Sequence, residues 1–262
     1  MLSEVWGAGE LYEPYVGRWS RKIALAFCAW LQPEPGGRWL DVGSGTGALT
    51  ESIADNARPA RLMSVDPSWA YLTYARSRTA DRSVSFSAGD ALALPLGTGS
   101  QDYVVSGLVL NFVADPARAV AEMRRVTRAG GTVAAYVWDY AERMQLMRYF
   151  WDAAVTLDPA AARLDEGPRF PICRPDQLEA CFRAAQLSDV CSRGIEVPTV
   201  FASFDDYWSP FLGGQGPAPG YAMSLSEDSR ALLRERLRAA LPTGTDGSIS
   251  LVARAWAVRG TV

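Results

Sequence analysis

Between Arg38 and Trp138 the chain switches strictly between short apolar runs and stretches with helical spacing, and nothing else in the sequence constrains the fold as much. Arg38–Val42, Arg61–Asp66 and residues 83–90, 102–110 and 132–138 read as strands. Ala48–Ala57 and residues 68–80 and 116–128 read as the intervening helices, the last with proline in its first turn and Gly130-Gly131 as its stop. Each crossover must return right-handed to the same sheet, so the expected fold is α/β: a Rossmann-like, doubly wound, mostly parallel sheet with helices on both faces. Ligands of such sheets collect at the carboxyl ends of the strands.

The flanks follow other patterns. Residues 20–31 place Ile23, Phe27, Trp30 and Leu31 on a helix that the proline-glycine segment 33–37 ends. Beyond Trp138, residues 140–157, 175–185 and 226–241 read as helices, and residues 187–200 and 248–258 as extended. Those two late strands predict an antiparallel edge pair with residues 201–241 inserted between them. The stretch PFLGGQGPAPGY, residues 210–221, reads equally well as an exposed connection or as a lid.

Several function classes drop out on composition. A net charge of −3 with scattered cations gives no electrostatic reason to expect nucleic acid or an anionic membrane as partner. There is no run approaching the roughly 20 apolar residues of a membrane span, and MLSEVWGAGELYEPY lacks a basic start or an apolar signal core. A cytoplasmic protein is expected. Cys28, Cys173, Cys181 and Cys191 have no CxxC spacing and read as reduced thiols in or near the core, and no metal site is expected. The chain contains no histidine, which removes the usual nucleophile-imidazole pairs and the default base near neutral pH.

The sharpest local feature is LDVGSGTG, residues 40–47, where the first strand breaks into a glycine loop and restarts as a helix. Taken alone, Gly43-x-Gly45-x-x-Ala48 also satisfies the relaxed dinucleotide fingerprint, and Asp66 stands about 20 residues beyond it, where a ribose-binding acid belongs. Three features separate the readings. Asp41 stands two residues before Gly43, where its charge would repel a pyrophosphate but suits a ligand carrying ammonium and sulfonium groups. Acids recur at strand ends: Asp66 can accept from both ribose hydroxyls and Asp90 from an adenine amine. No Gly-Lys-Ser/Thr element supplies a phosphate cradle. A nucleoside joined to an amino acid, without phosphate, satisfies all three.

With SVDPS (64–68), GDALALPL (89–96), DYVVSGLVLNFVADP (102–116) and EMRRVTRAGGTVAAYVWD (122–139) added in this order, the chain resembles the class I S-adenosylmethionine-dependent methyltransferases, type 11 group, over residues 38 to 139. The resemblance implies a seven-stranded sheet whose last strand is antiparallel. It implies one methyltransferase domain over 1–262: an N-terminal helical cap (1–37), a cofactor-binding core (38–139), substrate-side helices with the sixth strand and a lid insertion (140–247), and the last strand (248–262). Gly43, Ser44, Gly45 and Gly47 would let the methionine portion lie on the backbone, with Asp41 positioning its amino group through the loop. Asp66 and Pro67 would hold the ribose side, and Asp90, Ala91 and Leu92 the adenine. The segment LYEPYVGRWSR, residues 11–21, resembles one that closes over the cofactor in related methylases, so Tyr12, Tyr15 and Trp19 could face the sulfonium and Arg18 or Arg21 the carboxylate.

A sulfonium methyl is already an activated electrophile, so alignment can supply roughly 7–11 kcal/mol with neither histidine nor metal. S-adenosylhomocysteine would be the co-product. Should the acceptor need a base, Tyr15, Asp139, Tyr140 and Glu142 are the candidates. Met144, Met147, Phe150 and Trp151, with Phe201, Phe204, Tyr207, Trp208 and Phe211, offer an apolar lining for an aromatic or hydrophobic small-molecule acceptor; as protein core they read equally well. A monomer or homodimer is expected. Two alternatives remain open: a domain that binds the cofactor as sensor or scaffold or uses it without methylating, and an NAD(P)-dependent oxidoreductase.

Overall fold

Arg38–Val42 (β1) buries every residue after Arg38, so both of its faces need cover. The computed structural model describes residues 13–79, 83–213 and 216–262, and among these seven strands form one sheet. After β1 come Arg61–Asp66 (β2), Val84–Ala88 (β3), Gln101–Gly107 (β4), Thr127–Trp138 (β5), Ser188–Phe201 (β6) and Ile249–Thr261 (β7). Their order is β3-β2-β1-β4-β5-β7-β6. Strands β1 to β5 pair in parallel, and β7 runs antiparallel to β5 from Thr132↔Thr261 to Trp138↔Ala255. The expected architecture is observed, with β7 slotted between β5 and β6.

The helices are Arg18–Leu31 (α1), Ala48–Ala57 (α2), Trp69–Arg78 (α3), Pro116–Val126 (α4), Gln145–Leu157 (α5), Glu166–Arg169 (α6), Pro175–Ala184 (α7), Phe204–Trp208 (α8), Pro217–Ser224 (α9) and Glu227–Ala240 (α10). Side-chain caps start several of them: the Ser68 hydroxyl accepts from the Tyr71 N–H, Asp115 from Arg118, and Ser226 from Ser229.

Three of the boundaries that differ from expectation have a local reason. Helix α4 ends at Val126, where the Thr127 hydroxyl donates to the Met123 carbonyl at 2.7 Å, and β5 begins at once. Gly130 and Gly131 therefore lie inside β5 at a register shift, and a Cβ on Gly131 would stand 2.8 Å from the Asp102 carbonyl oxygen. Strand β4 stops at Gly107 because Leu108 turns the backbone left-handed at φ +62. Helix α5 starts at Gln145; the residues before it form a turn in which the Met144 N–H donates to the Asp139 carbonyl.

The chain divides into two compact units. The sheet unit comprises the described residues of Ser20–Trp138, Ile172–Ile195 and Ala255–Val262. Its core is mostly aliphatic, with Leu40, Val104, Val105 and Val133 from the strands and Ile23, Ile53, Val120 and Met123 from the helices fully buried beside the ring of Phe27. The other unit comprises the described residues of Met1–Trp19, Asp139–Pro171 and Glu196–Arg254. Aromatic rings fill it: Phe150 stacks on Phe211 at 4.5 Å, and Tyr15, Tyr207 and Trp208 meet Phe211 through edge or tilted contacts. All four cysteines are free; Cys28 and Cys173 are buried as expected, whereas Cys181 is half-buried and Cys191 exposed, because β6 turns that side chain outward.

Candidate functional site

The sheet order reverses at β1, which is followed by β2 and β3 on one side while the chain returns to β4 on the other. In open α/β sheets the carboxyl ends of the strands beside such a reversal are where ligands bind. The loop after β1 is held down by main-chain bonds: the Gly43 and Ser44 N–H groups both donate to the Val65 carbonyl, at 2.7 and 3.1 Å. Gly43 adopts φ +73, and a Cβ there would stand 2.5 Å from a Val109 methyl, so only glycine lets the two loops approach. Gly45 adopts φ +52 with open space where a Cβ would point, a bare stretch of backbone that a ligand can reach. Gly47 opens α2 with no side-chain cap, so the first-turn N–H groups receive no side-chain acceptor.

Carboxylates surround this loop. Asp66, at the end of β2 and 6% exposed, accepts from the Gly45 N–H at 2.9 Å on one oxygen and from the Ser68 N–H at 2.8 Å on the other. Burial raises its pKa, and the Ser68 and Gly45 donors oppose the rise. Each oxygen retains a lone pair, so Asp66 both fastens the loop and can still accept from a diol. Asp41 is fully buried on β1; one oxygen accepts from the Thr50 hydroxyl at 2.7 Å, which in turn lies 2.8 Å from Ser64 Oγ. Its other oxygen has no hydrogen-bond partner among the described residues. Burial pushes this carboxyl up to about 7, against the Thr50 hydroxyl and with help from the charge of Asp66. Asp90 is exposed beyond β3, where it accepts from the Leu92 N–H at 2.9 Å in a tight turn; Ala91 and Leu92 are half-buried, and Pro67 is exposed.

Most of the other expected residues fall in the aromatic unit. Tyr15 is buried, donates to the Met147 sulfur at 2.9 Å, and meets Phe211 edge-on. Trp19 is buried against Phe201, and Arg18 pairs with Asp206 at 2.9 Å. Asp139 is buried and accepts from Arg254 Nε at 2.7 Å and from the Glu142 N–H at 3.1 Å, while exposed Glu142 takes the other side of the same guanidinium. Tyr140 is buried beside Phe170. The nine apolar residues expected to line an acceptor site all lie buried in this unit. Arg21, in the sheet unit, pairs with Glu51 of α2. Tyr12 lies outside the described residues, as do Gly214 and Gln215 of the expected lid.

Sequence reasoning missed two features. Asn111, in the loop after β4, is 7% exposed, and neither polar atom of its amide has a partner among the described residues. A lone polar residue interrupting the apolar run 107–113 was its only signal. Glu166 is buried in the aromatic unit, bonded to the Trp151 indole N–H and pushed by burial up to about 7.

Buried carboxylates, open backbone at Gly45 and the lack of any Lys or Arg from Trp39 to Thr50 suit an adenosyl group attached to a cationic amino acid rather than a pyrophosphate. The class these features suit is a nucleoside-binding α/β enzyme. The model of the methyltransferase domain matches residues 40–135. The chain is 35% identical over 178 residues to the demethylmenaquinone methyltransferase of Roseiflexus castenholzii, covering 62% of this chain and 72% of that one. Among solved structures, a putative methyltransferase from Bacillus halodurans superposes with a TM-score of 0.61 at 13% identity, over 92% of this chain and 98% of that one. The cyclase SpnF does so with a TM-score of 0.55 at 18% identity, over 92% and 81%. The chain belongs to the class I S-adenosylmethionine-dependent methyltransferases. It transfers a methyl group from S-adenosylmethionine to a small-molecule acceptor.

Proposed function

We propose that Gly43, Ser44, Gly45 and Gly47 carry the methionine part of the cofactor, that Asp66 and Pro67 hold its ribose, and that Asp90, Ala91 and Leu92 hold its adenine. The observation that carries this reading is Asp66: a carboxylate fixed at the strand end by two backbone N–H groups, each oxygen with a lone pair left to accept. When bound, S-adenosylmethionine supplies an electrophilic sulfonium methyl, so the protein's task is alignment and exclusion of water. Asp41 lies buried beneath the loop with its proton held by burial, and a cationic ligand there would favour its ionised form. The loop, fastened through its own N–H groups to Val65 and Asp66, offers its bare backbone at Gly45 in a fixed position.

The acceptor we propose is a flat aromatic hydroxyl compound of the hydroquinone class. Support comes from the Roseiflexus relative, whose name specifies a menaquinone precursor. No helix among the described residues is long and apolar enough to cross a membrane, and a cytoplasmic monomer or homodimer that acts on a small molecule accords with that.

Titration calorimetry with S-adenosylmethionine, S-adenosylhomocysteine and NADH tests the cofactor assignment. We expect the first two to bind and NADH not to; NADH binding alone would replace this reading with an oxidoreductase. Asp66→Ala is expected to weaken S-adenosylhomocysteine by about 30- to 1000-fold, the range for one charged hydrogen-bonding partner lost from a buried site. Unchanged affinity would remove Asp66 from the ribose site.

A further inference from the structure

The loop after β4 turns tightly: Leu108 is left-handed, and the Phe112 N–H donates to the Val109 carbonyl at 2.8 Å, which places Asn111 third in the four-residue turn. An asparagine in a turn ordinarily bonds its own loop's backbone. Asn111 does not, although it is more than nine-tenths buried, and since both its nitrogen and its oxygen lack partners among the described residues, flipping the amide relieves neither. Native proteins rarely leave both ends of a buried amide unpaired without an ordered water, an ion or a ligand to complete them.

Its place in the sheet says which part of a ligand that is. Neighbouring strands lie about 4.8 Å apart, so consecutive strand ends form a ruler across the sheet. Along the order β3-β2-β1-β4 the ends carry Asp90, Asp66, the glycine loop and Asn111. If adenine, ribose and methionine occupy the first three, as proposed above, the fourth faces whatever meets the far side of the donor. Val109, two residues before Asn111, already packs on Gly43, so the two loops adjoin. A neutral amide with one donor group and one acceptor group matches a hydroxyl, which both gives and takes a hydrogen bond.

We propose that Asn111 is a substrate-positioning residue that hydrogen-bonds the hydroxyl of the methyl acceptor, through its carbonyl to the O–H and through its NH2 to the oxygen. This rests on the cofactor placement proposed above. It differs from that placement in concerning the acceptor, and the two can fail separately.

The test uses the full chain and its Asn111→Leu and Asn111→Ala variants, with S-adenosylhomocysteine and 1,4-dihydroxynaphthalene as probes, the second titrated by calorimetry in the presence of the first. Expected are S-adenosylhomocysteine affinities within twofold of wild type, dihydroxynaphthalene binding weakened at least tenfold, and a melting temperature of ligand-free Asn111→Leu equal to or above wild type. A merely structural role would lower that melting temperature and leave both affinities alone, overturning the proposal. Loss of S-adenosylhomocysteine affinity with dihydroxynaphthalene unaffected would move Asn111 to the donor site. Failure of dihydroxynaphthalene to bind wild type overturns the assignment to an aromatic hydroxyl, while failure of S-adenosylhomocysteine to bind wild type overturns the cofactor placement beneath it.

Discussion

The two units treat their buried polar groups differently. In the aromatic unit nearly every one is spoken for: Tyr207 donates to the Leu146 carbonyl at 2.9 Å, Trp151 to Glu166, and Arg148 grips Asp165 with two bonds of 2.7 and 2.8 Å, with Thr199 and the Arg18 Nε as exceptions. In the sheet unit, beside Trp39, Ser52 and Arg124, the unpaired atoms are one oxygen of Asp41, the Ser44 hydroxyl and both ends of the Asn111 amide, all at the carboxyl ends of β1 and β4. An unsatisfied buried group destabilises a fold by about 1–3 kcal/mol, so their concentration at two strand ends is a cost that the binding site proposed there would account for. Satisfied pairs such as Arg148–Asp165 hold a unit together.

The largest effect expected on that division is from Arg148→Ala. Arg148 also donates to the Tyr140 carbonyl at 3.0 Å, so removing it strands a largely buried Asp165 and frees the turn at Tyr140. A loss of about 3–5 kcal/mol in urea unfolding is expected, the usual cost of breaking a buried pair from one side. S-adenosylhomocysteine affinity of the folded variant should stay within twofold. A parallel loss of affinity would mean that the aromatic unit's pairs also serve the cofactor.

Next in size is the pH response of Asp41→Asn. A carboxyl whose folded pKa lies above its unfolded value holds its proton more firmly when folded. Its contribution is therefore complete below the unfolded value of 3.8 and is lost as pH rises through about 7. At about 1.4 kcal/mol per pH unit, the asparagine variant should gain up to roughly 4 kcal/mol on wild type between pH 4 and pH 8. Glu166 is raised to about 7 as well, so a shallower fall of the same sign should survive in the variant. Equal stability differences at both pH values would show that Asp41 is not held protonated beneath the loop.

Much of the sheet unit is legible in the sequence because its signals are local. β1, β2 and α2 fall on the residues their apolar patterns predict, and Asp66 is recognisable as a strand-ending acid beside a glycine loop. Where a residue's state depends on distant partners, the sequence is silent. The turn before α5 is set by Arg254 reaching back to Asp139 across more than a hundred residues, and no periodicity announces it. Asn111 reads as an ordinary turn residue until its burial is seen. The aromatic stripe of α5 is visible, but whether it faces a ligand or other rings depends on residues 201–211, which ring contacts such as Phe150–Phe211 settle in favour of packing for those two.

The smallest effects separate the two kinds of buried hydroxyl most cleanly. Ser44 Oγ is buried and unpaired in the glycine loop, whereas Tyr207 Oη is buried and bonded to the Leu146 carbonyl. Removing an unpaired hydroxyl abolishes a desolvation cost, so Ser44→Ala should leave the ligand-free protein unchanged or steadier by up to about 1 kcal/mol and weaken S-adenosylhomocysteine several-fold. Removing a paired one strands its partner: Tyr207→Phe should lower stability by about 1 kcal/mol and leave affinity alone. Thermal melts and calorimetry on both variants read all four values, and the opposite signs matter more than the sizes. If Ser44→Ala destabilises while cofactor affinity holds, the serine is paired in solution, and the loop is less open to a ligand than its unpaired groups imply.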